Sequence, residues 1–305
     1  MNPKPNIDLT RKFVDNSSVP GDYGVNDLPR HICSKTSFLH YLDPTPTDRA
    51  VIDMVAQFGL CRSDQILRVH FKNHNYGRNR LTQLTKAHLL ERYRLLGINR
   101  VPPYVYVLGR EAHRVIPLEK TKGRSRVNRK LQYLTTQLMH HLDCVETYVQ
   151  LVLAMRKLGA ELSWQTEREA SRVNSLELRP DGIADIAAPN WQRRLYIEVD
   201  RSTEARRVLD KKIDRYVSQR LRYEDQSFVL FVTETERRAR SISELFGRHP
   251  LLRGGVAQLT SEINEPWALA WRTSAERGPV DLTELLGIPA FSASRINPPP
   301  KHEIT

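Results

Sequence analysis

Asp181, Glu198 and Asp200 are the residues of this 305-residue chain whose types and spacing suit chemistry on a phosphodiester. Asp181 lies in Arg179-Pro180-Asp181-Gly182-Ile183-Ala184-Asp185. An apolar run, Leu195-Tyr196-Ile197, follows and ends in Glu198-Val199-Asp200. A carboxylate at the mouth of one strand, another at the end of its neighbour and a third two residues on along the same face can converge on a hard divalent ion, Mg²⁺ or Mn²⁺. Such an ion makes hydroxide from water and offsets the charge of a phosphodiester in its transition state. The same residues have a plainer reading. Asp-Gly is a common turn signal, and Glu198 and Asp200 could be strand-end charges paired with Arg201 and Lys212.

A second set of residues suits a polyanion. Between Cys61 and Lys130 there are 17 Lys and Arg against 4 Asp and Glu, a local excess larger than the +12 net charge of the whole chain. Charge so concentrated points to nucleic acid. The stretch lacks the Trp/Phe/Leu face of an interfacial helix, which disfavours a membrane partner. Within it, Arg78, Asn79, Arg80, Gln83 and Lys86 lie on helix faces left free by Leu81 and Leu84. Arg, Asn and Gln can bond base edges in pairs. Arg92, Arg94 and Arg100, further along, suit phosphate contacts. A basic helix can also be merely solvated, and small tri-helical modules also bind proteins.

These side chains need two scaffolds. For the basic set, Thr45-Pro46-Thr47-Asp48 reads as a helix start, with Val51, Ile52, Val55 and Phe58 at helical spacing and Gly59 as the stop. Ser63 is expected to cap a second helix through Ile66, Leu67 and Val69. Lys72 to Gly77 reads as a turn, and a third helix is expected from about Arg78 to Ala87. Glu91 to Leu108 then forms a hairpin interrupted at Val101-Pro102-Pro103. That order describes a winged helix-turn-helix, whose second motif helix enters the major groove.

For the acidic set, a long helix is expected from Leu131 to Leu158, with an apolar stripe at three-to-four spacing. Strands follow at Leu162–Thr166, Gly182–Ala187 and Leu195–Val199, then a helix over Thr203–Arg220 and a strand over Ser227–Val232. A helix over Ser241–Phe246 and a strand around Ala268–Trp271 complete the pattern. The fold class expected is α/β: an N-terminal winged helix-turn-helix plus a C-terminal α/β/α sandwich with a mixed sheet. The divisions expected are an arm over 1–43, the DNA-binding domain over 44–118, a basic linker over 119–130, the α/β domain over 131–291 and a tail over 292–305.

Several function classes are disfavoured. No Walker-type glycine loop indicates a nucleotide motor, and no histidine pair flanking an apolar residue indicates a rolling-circle relaxase. No run of eighteen apolar residues and no leader pattern is visible, so a cytoplasmic chain is expected. Cys33, Cys61 and Cys144 lack CxxC spacing and support neither a disulfide framework nor a zinc site. His140 and His141 read as satisfied helix histidines. Glu146, Glu167 and Glu169 could each complete a metal shell, without spacing to select among them. Tyr104, Tyr106, Trp164, Trp191 and Trp271 read as packing residues.

On these motifs, residues 131 to 235 resemble the PD-(D/E)XK nuclease superfamily, so the second domain is expected to be PD-(D/E)XK nuclease-like. Pro180-Asp181 stands as its first signature and Glu198-Val199-Asp200 stands in the place of its acid-x-lysine, with Asp200 where the lysine belongs. Some members move the lysine to the next helix. Lys211 and Lys212 are the candidates, and Lys212 shares a helix face with Tyr216. The stretch from Thr45 to about Val232 further resembles the replication-relaxation family of plasmid and mobile-element proteins. The matching pieces are Thr45 to Val51, Arg78 to Leu90, His140-His141-Leu142, Arg179 to Gly182, Glu198 to Glu204, and Lys212 with Tyr216. Ser202 stands where that family usually has glycine.

The resemblance implies a role in plasmid replication, DNA relaxation or conjugative mobilisation on double-stranded DNA, with other replication or mobilisation proteins or a second copy as partners. If catalytic, Asp181 and Glu198 hold Mg²⁺ or Mn²⁺, Asp200 assists, and Lys212 steadies the scissile phosphate or the attacking water in a strand nick. The rival reading is a non-catalytic regulator whose nuclease-like domain is a docking or dimerisation scaffold. A third is an RNA-processing nuclease.

Overall fold

The computed structural model describes residues 43–94, 104–117, 135–173, 178–202, 204–223, 226–259, 261–273 and 278–288. The expected linker, tail and Arg100 lie outside those residues, as does the expected arm apart from Asp43. The chain divides into two compact units: residues 1–153 with 164–182, and residues 154–163 with 183–305.

The first unit opens with helix α1 (Pro46–Phe58). Thr45 Oγ1 accepts the Asp48 N–H, and the Asp48 carboxylate accepts the Thr45 N–H at 2.7 Å, which closes a reciprocal cap ahead of Pro46. Gly59 ends the helix at φ 78°. Strand β1 (Cys61–Arg62) leads into α2 (Ser63–His70). The cap of α2 is Arg62 and not Ser63, because Gln65 Oε1 accepts the Arg62 N–H.

Helix α3 (His74–Lys86) starts four residues before the expected Arg78. The polar stretch taken for a turn is its cap and first turn: Asn73 Oδ1 accepts the N–H groups of Asn75 and Tyr76. Gly77 is needed there, since a Cβ would come within 2.5 Å of the Leu67 side chain and 2.8 Å of the Phe71 ring. Strands β2 (Leu90–Arg94) and β3 (Tyr104–Leu108) pair antiparallel, and Cys61 pairs with Tyr106, giving the order β1-β3-β2. Val51, Ile52, Ile66, Leu81, Leu84 and Leu89 are wholly buried between these elements. The apolar stripes of α1, α2 and α3 drive this packing.

Helix α4 (Thr135–Lys157) brings Leu142 onto Leu60, Val105 and Val107. Its Glu146, buried, accepts from Arg62, Gln65, Arg68 and Gln150. Glu146, weighed as a spare metal ligand, is therefore an anchor for α2. Strand β4 (Glu161–Thr166) is followed by a short helix not anticipated from sequence, α5 (Glu167–Val173). Glu169 accepts from the Thr166 backbone and hydroxyl at its start, so it too has a local structural task.

A five-stranded sheet runs β4-β5-β6-β7-β8, with β5 (Gly182–Ala188), β6 (Trp191–Asp200), β7 (Phe228–Thr233) and β8 (Gly254–Gln258). Pro189 and Asn190 alone join β5 to β6, a connection only antiparallel neighbours allow. Strands β6, β7 and β8 are parallel, with α6 (Arg206–Tyr223) and α7 (Glu236–Gly247) as the crossovers. The sheet is mixed, as expected. Its fifth strand is not the expected one. Around Ala268–Trp271 there are only isolated bridges, Trp271 to Val280 and Arg272 to Val256. The strand is instead β8, hidden in the sequence by Gly254 and Gly255. A short helix, α8 (Leu282–Leu285), follows.

Candidate functional site

On α3, Arg78, Asn79, Gln83 and Lys86 are exposed, as the inward placement of Leu81 and Leu84 requires. Arg80 departs from that set. Its Nε lies 2.8 Å and its Nη2 2.5 Å from the two oxygens of Asp48, which is fully buried, while Nη1 donates to Gln83. The hydrogen bonds that Arg80 donates to Asp48 raise its pKa against its partial burial. Burial pushes the Asp48 carboxyl up, but the hydrogen bonds of Arg80 and Thr45 outweigh it and hold Asp48 below its ordinary value. Arg80, expected to read bases, therefore braces α3 against α1. Asp48 lies 32 positions away, beyond the reach of helical spacing.

On the hairpin, the Arg92 and Arg94 guanidiniums stand 5.0 and 4.8 Å from the Tyr104 ring centroid, and Arg94 donates to the Tyr104 hydroxyl. Register explains it: Arg94 pairs with Tyr104, and Arg92 is two residues back on the same face. Tyr104, read as a packing residue, orders two half-buried cations.

In the second unit, β6 delivers Glu198 and Asp200 to one strand face, 2% and 5% exposed. Glu198 accepts from Lys212 Nζ at 2.9 Å and from the Tyr216 hydroxyl at 2.5 Å. Lys212 and Tyr216 sit one turn apart on α6, so the shared face expected of them is where they meet Glu198. Lys212 also donates to Glu204 at 3.1 Å. Burial by itself would lower the Lys212 ammonium. The charge and hydrogen bond of Glu198, then those of Glu204, outweigh it and hold the pKa above the ordinary lysine value.

Asp200 is held by Arg238 and by the Ser202 N–H at 3.2 Å. Arg238 donates as well to the Glu204 carbonyl at 2.6 Å. The expectation that Asp200 assists a metal thus meets two oxygens already engaged by a guanidinium and an amide. Ser202 has φ 59°, a left-handed conformation that glycine adopts more readily, which accounts for glycine at this position in the resemblance. Sequence reading missed Arg238, which stands 38 residues from Asp200 on the next crossover helix, where no local spacing links them.

Asp181 belongs to the first unit and immediately precedes β5. Its Oδ1 lies 3.0 Å from His140 Nε2, and Cys144 Sγ lies 3.7 Å from the same nitrogen. The three ligand atoms all fall within 4.8 Å of one another. The hydrogen bond that His140 donates to Asp181 raises the His140 pKa; partial burial opposes it, and the charges of Asp181, Asp143 and Glu167 add to it. His141, by contrast, is a satisfied helix histidine on the Leu60 carbonyl at 3.1 Å. No described helix is long and apolar enough to cross a membrane.

Among curated proteins, none matches this chain. Among solved structures, the restriction endonuclease FokI matches at 13% identity and a TM-score of 0.30, over 72% of this chain. The chain spans only 43% of that endonuclease's length. The family described as replication-relaxation matches residues 52–228, more than half of the chain, taking in α3, His140, Asp181, Glu198, Asp200, Lys212 and Tyr216. The chain belongs to the replication-relaxation family.

Proposed function

We propose that this chain is a DNA-binding protein of a plasmid or mobile element, acting in replication, DNA relaxation or mobilisation, and that its second half is a nuclease-like domain that nicks a strand. The observation that carries the DNA reading is α3. It follows α1, β1 and α2, precedes an antiparallel hairpin in a β1-β3-β2 sheet, and exposes Arg78, Asn79, Gln83 and Lys86. A winged helix-turn-helix has this element order, and these side chains suit base edges and phosphates. Family membership supports the same reading.

For cutting, Asp181 and Glu198 are the proposed ligands of Mg²⁺ or Mn²⁺. Family membership supports the pair, since the match takes in both residues. The donor set fits a hard cation: Glu198 is a buried carboxylate, and Glu204 Oε2 is buried with no hydrogen-bond partner among the described residues. Such an ion would activate water and shield the phosphodiester charge. Lys212 places a positive charge beside Glu198, Tyr216 orients that carboxylate, and Arg238 fixes Asp200 in a positioning role.

The second reading, a scaffold without cutting activity, is favoured by one observation: Glu198 and Asp200 both have a cation from the protein itself. Supercoiled plasmid incubated with Mn²⁺ separates the two. Nicking by the intact chain that drops at least about 100-fold in Glu198→Gln and Lys212→Ala establishes the nuclease. Tight DNA binding with intact plasmid establishes the scaffold.

A further inference from the structure

We propose that His140, Cys144 and Asp181 form a site for a borderline transition-metal ion, Zn²⁺ by preference, with a coordination position left open. His140 and Cys144 are four residues apart on α4, so one helix face presents both, and Asp181 closes the triangle from the residue before β5. The spacing fits. Bonds of about 2.0 Å to nitrogen and 2.3 Å to sulfur in a tetrahedral shell set those ligand atoms roughly 3.5 Å apart. Nε2 and Sγ are 3.7 Å apart here, and the Nε2–Oδ1 separation of 3.0 Å needs to open only slightly.

The donor types select the metal. Imidazole and thiolate favour Zn²⁺ over Mg²⁺, which prefers oxygen alone. All three side chains are half-buried, so one side of the triangle faces solvent and a water can take the fourth position. Asp143 and Glu167, whose charges act on His140, give the site a negative surround. On binding, the Cys144 thiol gives its proton to solvent as the S–Zn bond forms, and the proton that His140 Nε2 donates to Asp181 leaves that nitrogen as the N–Zn bond forms, with the neutral ring keeping its proton on Nδ1. The ion would tie α4 to the segment entering β5 more firmly than the His140–Asp181 hydrogen bond alone.

The two proposed sites share Asp181, and His140 and Cys144 belong to this one alone. The full chain, stripped of metal by a chelator, is titrated with Co²⁺ as a spectroscopic probe and then with Zn²⁺. Expected are one Co²⁺ per chain with a thiolate-to-cobalt charge-transfer band, displaced by one equivalent of Zn²⁺. Cys144→Ala should lose the band, and His140→Ala should weaken Zn²⁺ binding by about 100-fold or more. Glu198→Gln should leave the band and the affinity unchanged while removing any nicking, which keeps the two proposals separable. No band from the intact chain, or a band that survives Cys144→Ala, overturns the site.

Discussion

Asp48 does two jobs with one carboxylate, closing the cap of α1 and gripping Arg80 of α3. Removing Arg80 leaves a fully buried carboxylate short of its cation, which costs about 3 kcal/mol in comparable buried pairs. Arg80→Ala is therefore expected to lower the urea midpoint strongly at pH 7. The pH dependence has a definite sign. Because Asp48 is held below the ordinary 3.8, its contribution is present above that value and is lost as pH falls through the lower folded value. The gap between wild type and Arg80→Ala should shrink below about pH 4. A gap that stays constant from pH 7 to pH 3 would remove Asp48 from the account. The helical pattern correctly placed Leu81 and Leu84 inward and left Arg80 on a free face. It could not show that a long guanidinium reaches sideways to another helix.

Elements with strong periodic signals were readable from the chain itself. The hydroxyl–Pro start and Gly59 stop delimit α1, and the runs at Gly182, Leu195 and Ser227 mark β5, β6 and β7. The misses occur where local chemistry opposes the tertiary outcome. Asn73 converts a polar, glycine-containing stretch into the first turn of α3. Two glycines open β8, and Gly254 is there because its φ is 150° and a Cβ would sit 1.9 Å from the Val229 carbonyl oxygen. Gly254→Ala is thus expected to displace the start of β8 and destabilise the chain by about 2 kcal/mol, seen as a fall in Tm of roughly 4–8 °C. An unchanged Tm would mean that β8 tolerates a shift along β7. Legibility of the site divides the same way. Lys212 with Tyr216 could be paired by helical spacing, whereas His140 with Asp181 and Asp200 with Arg238 are joined only by the fold.

Across the whole molecule the charge is uneven, and the described part of the basic stretch carries Arg78, Lys86, Arg92 and Arg94 on α3 and the hairpin. If all four meet phosphates, each releases counterions, and log K for duplex DNA should fall against log salt with a slope on the order of −4. Fluorescence anisotropy over a salt series measures it, and a slope near zero would sink the duplex-binding proposal. The basic stretch was visible in composition alone. The division of the chain was harder to see, because the first unit also takes in residues 164–182 and Glu146 supplies the counter-charge for Arg62 and Arg68. Synthesis is vectorial, and a unit closes only after its last contributing segment has left the ribosome. The nascent helices α1 to α3 would thus emerge with Leu60, Val105 and Val107 uncovered by Leu142 and two guanidiniums without Glu146, so a chain stalled near residue 118 would expose that apolar face to water.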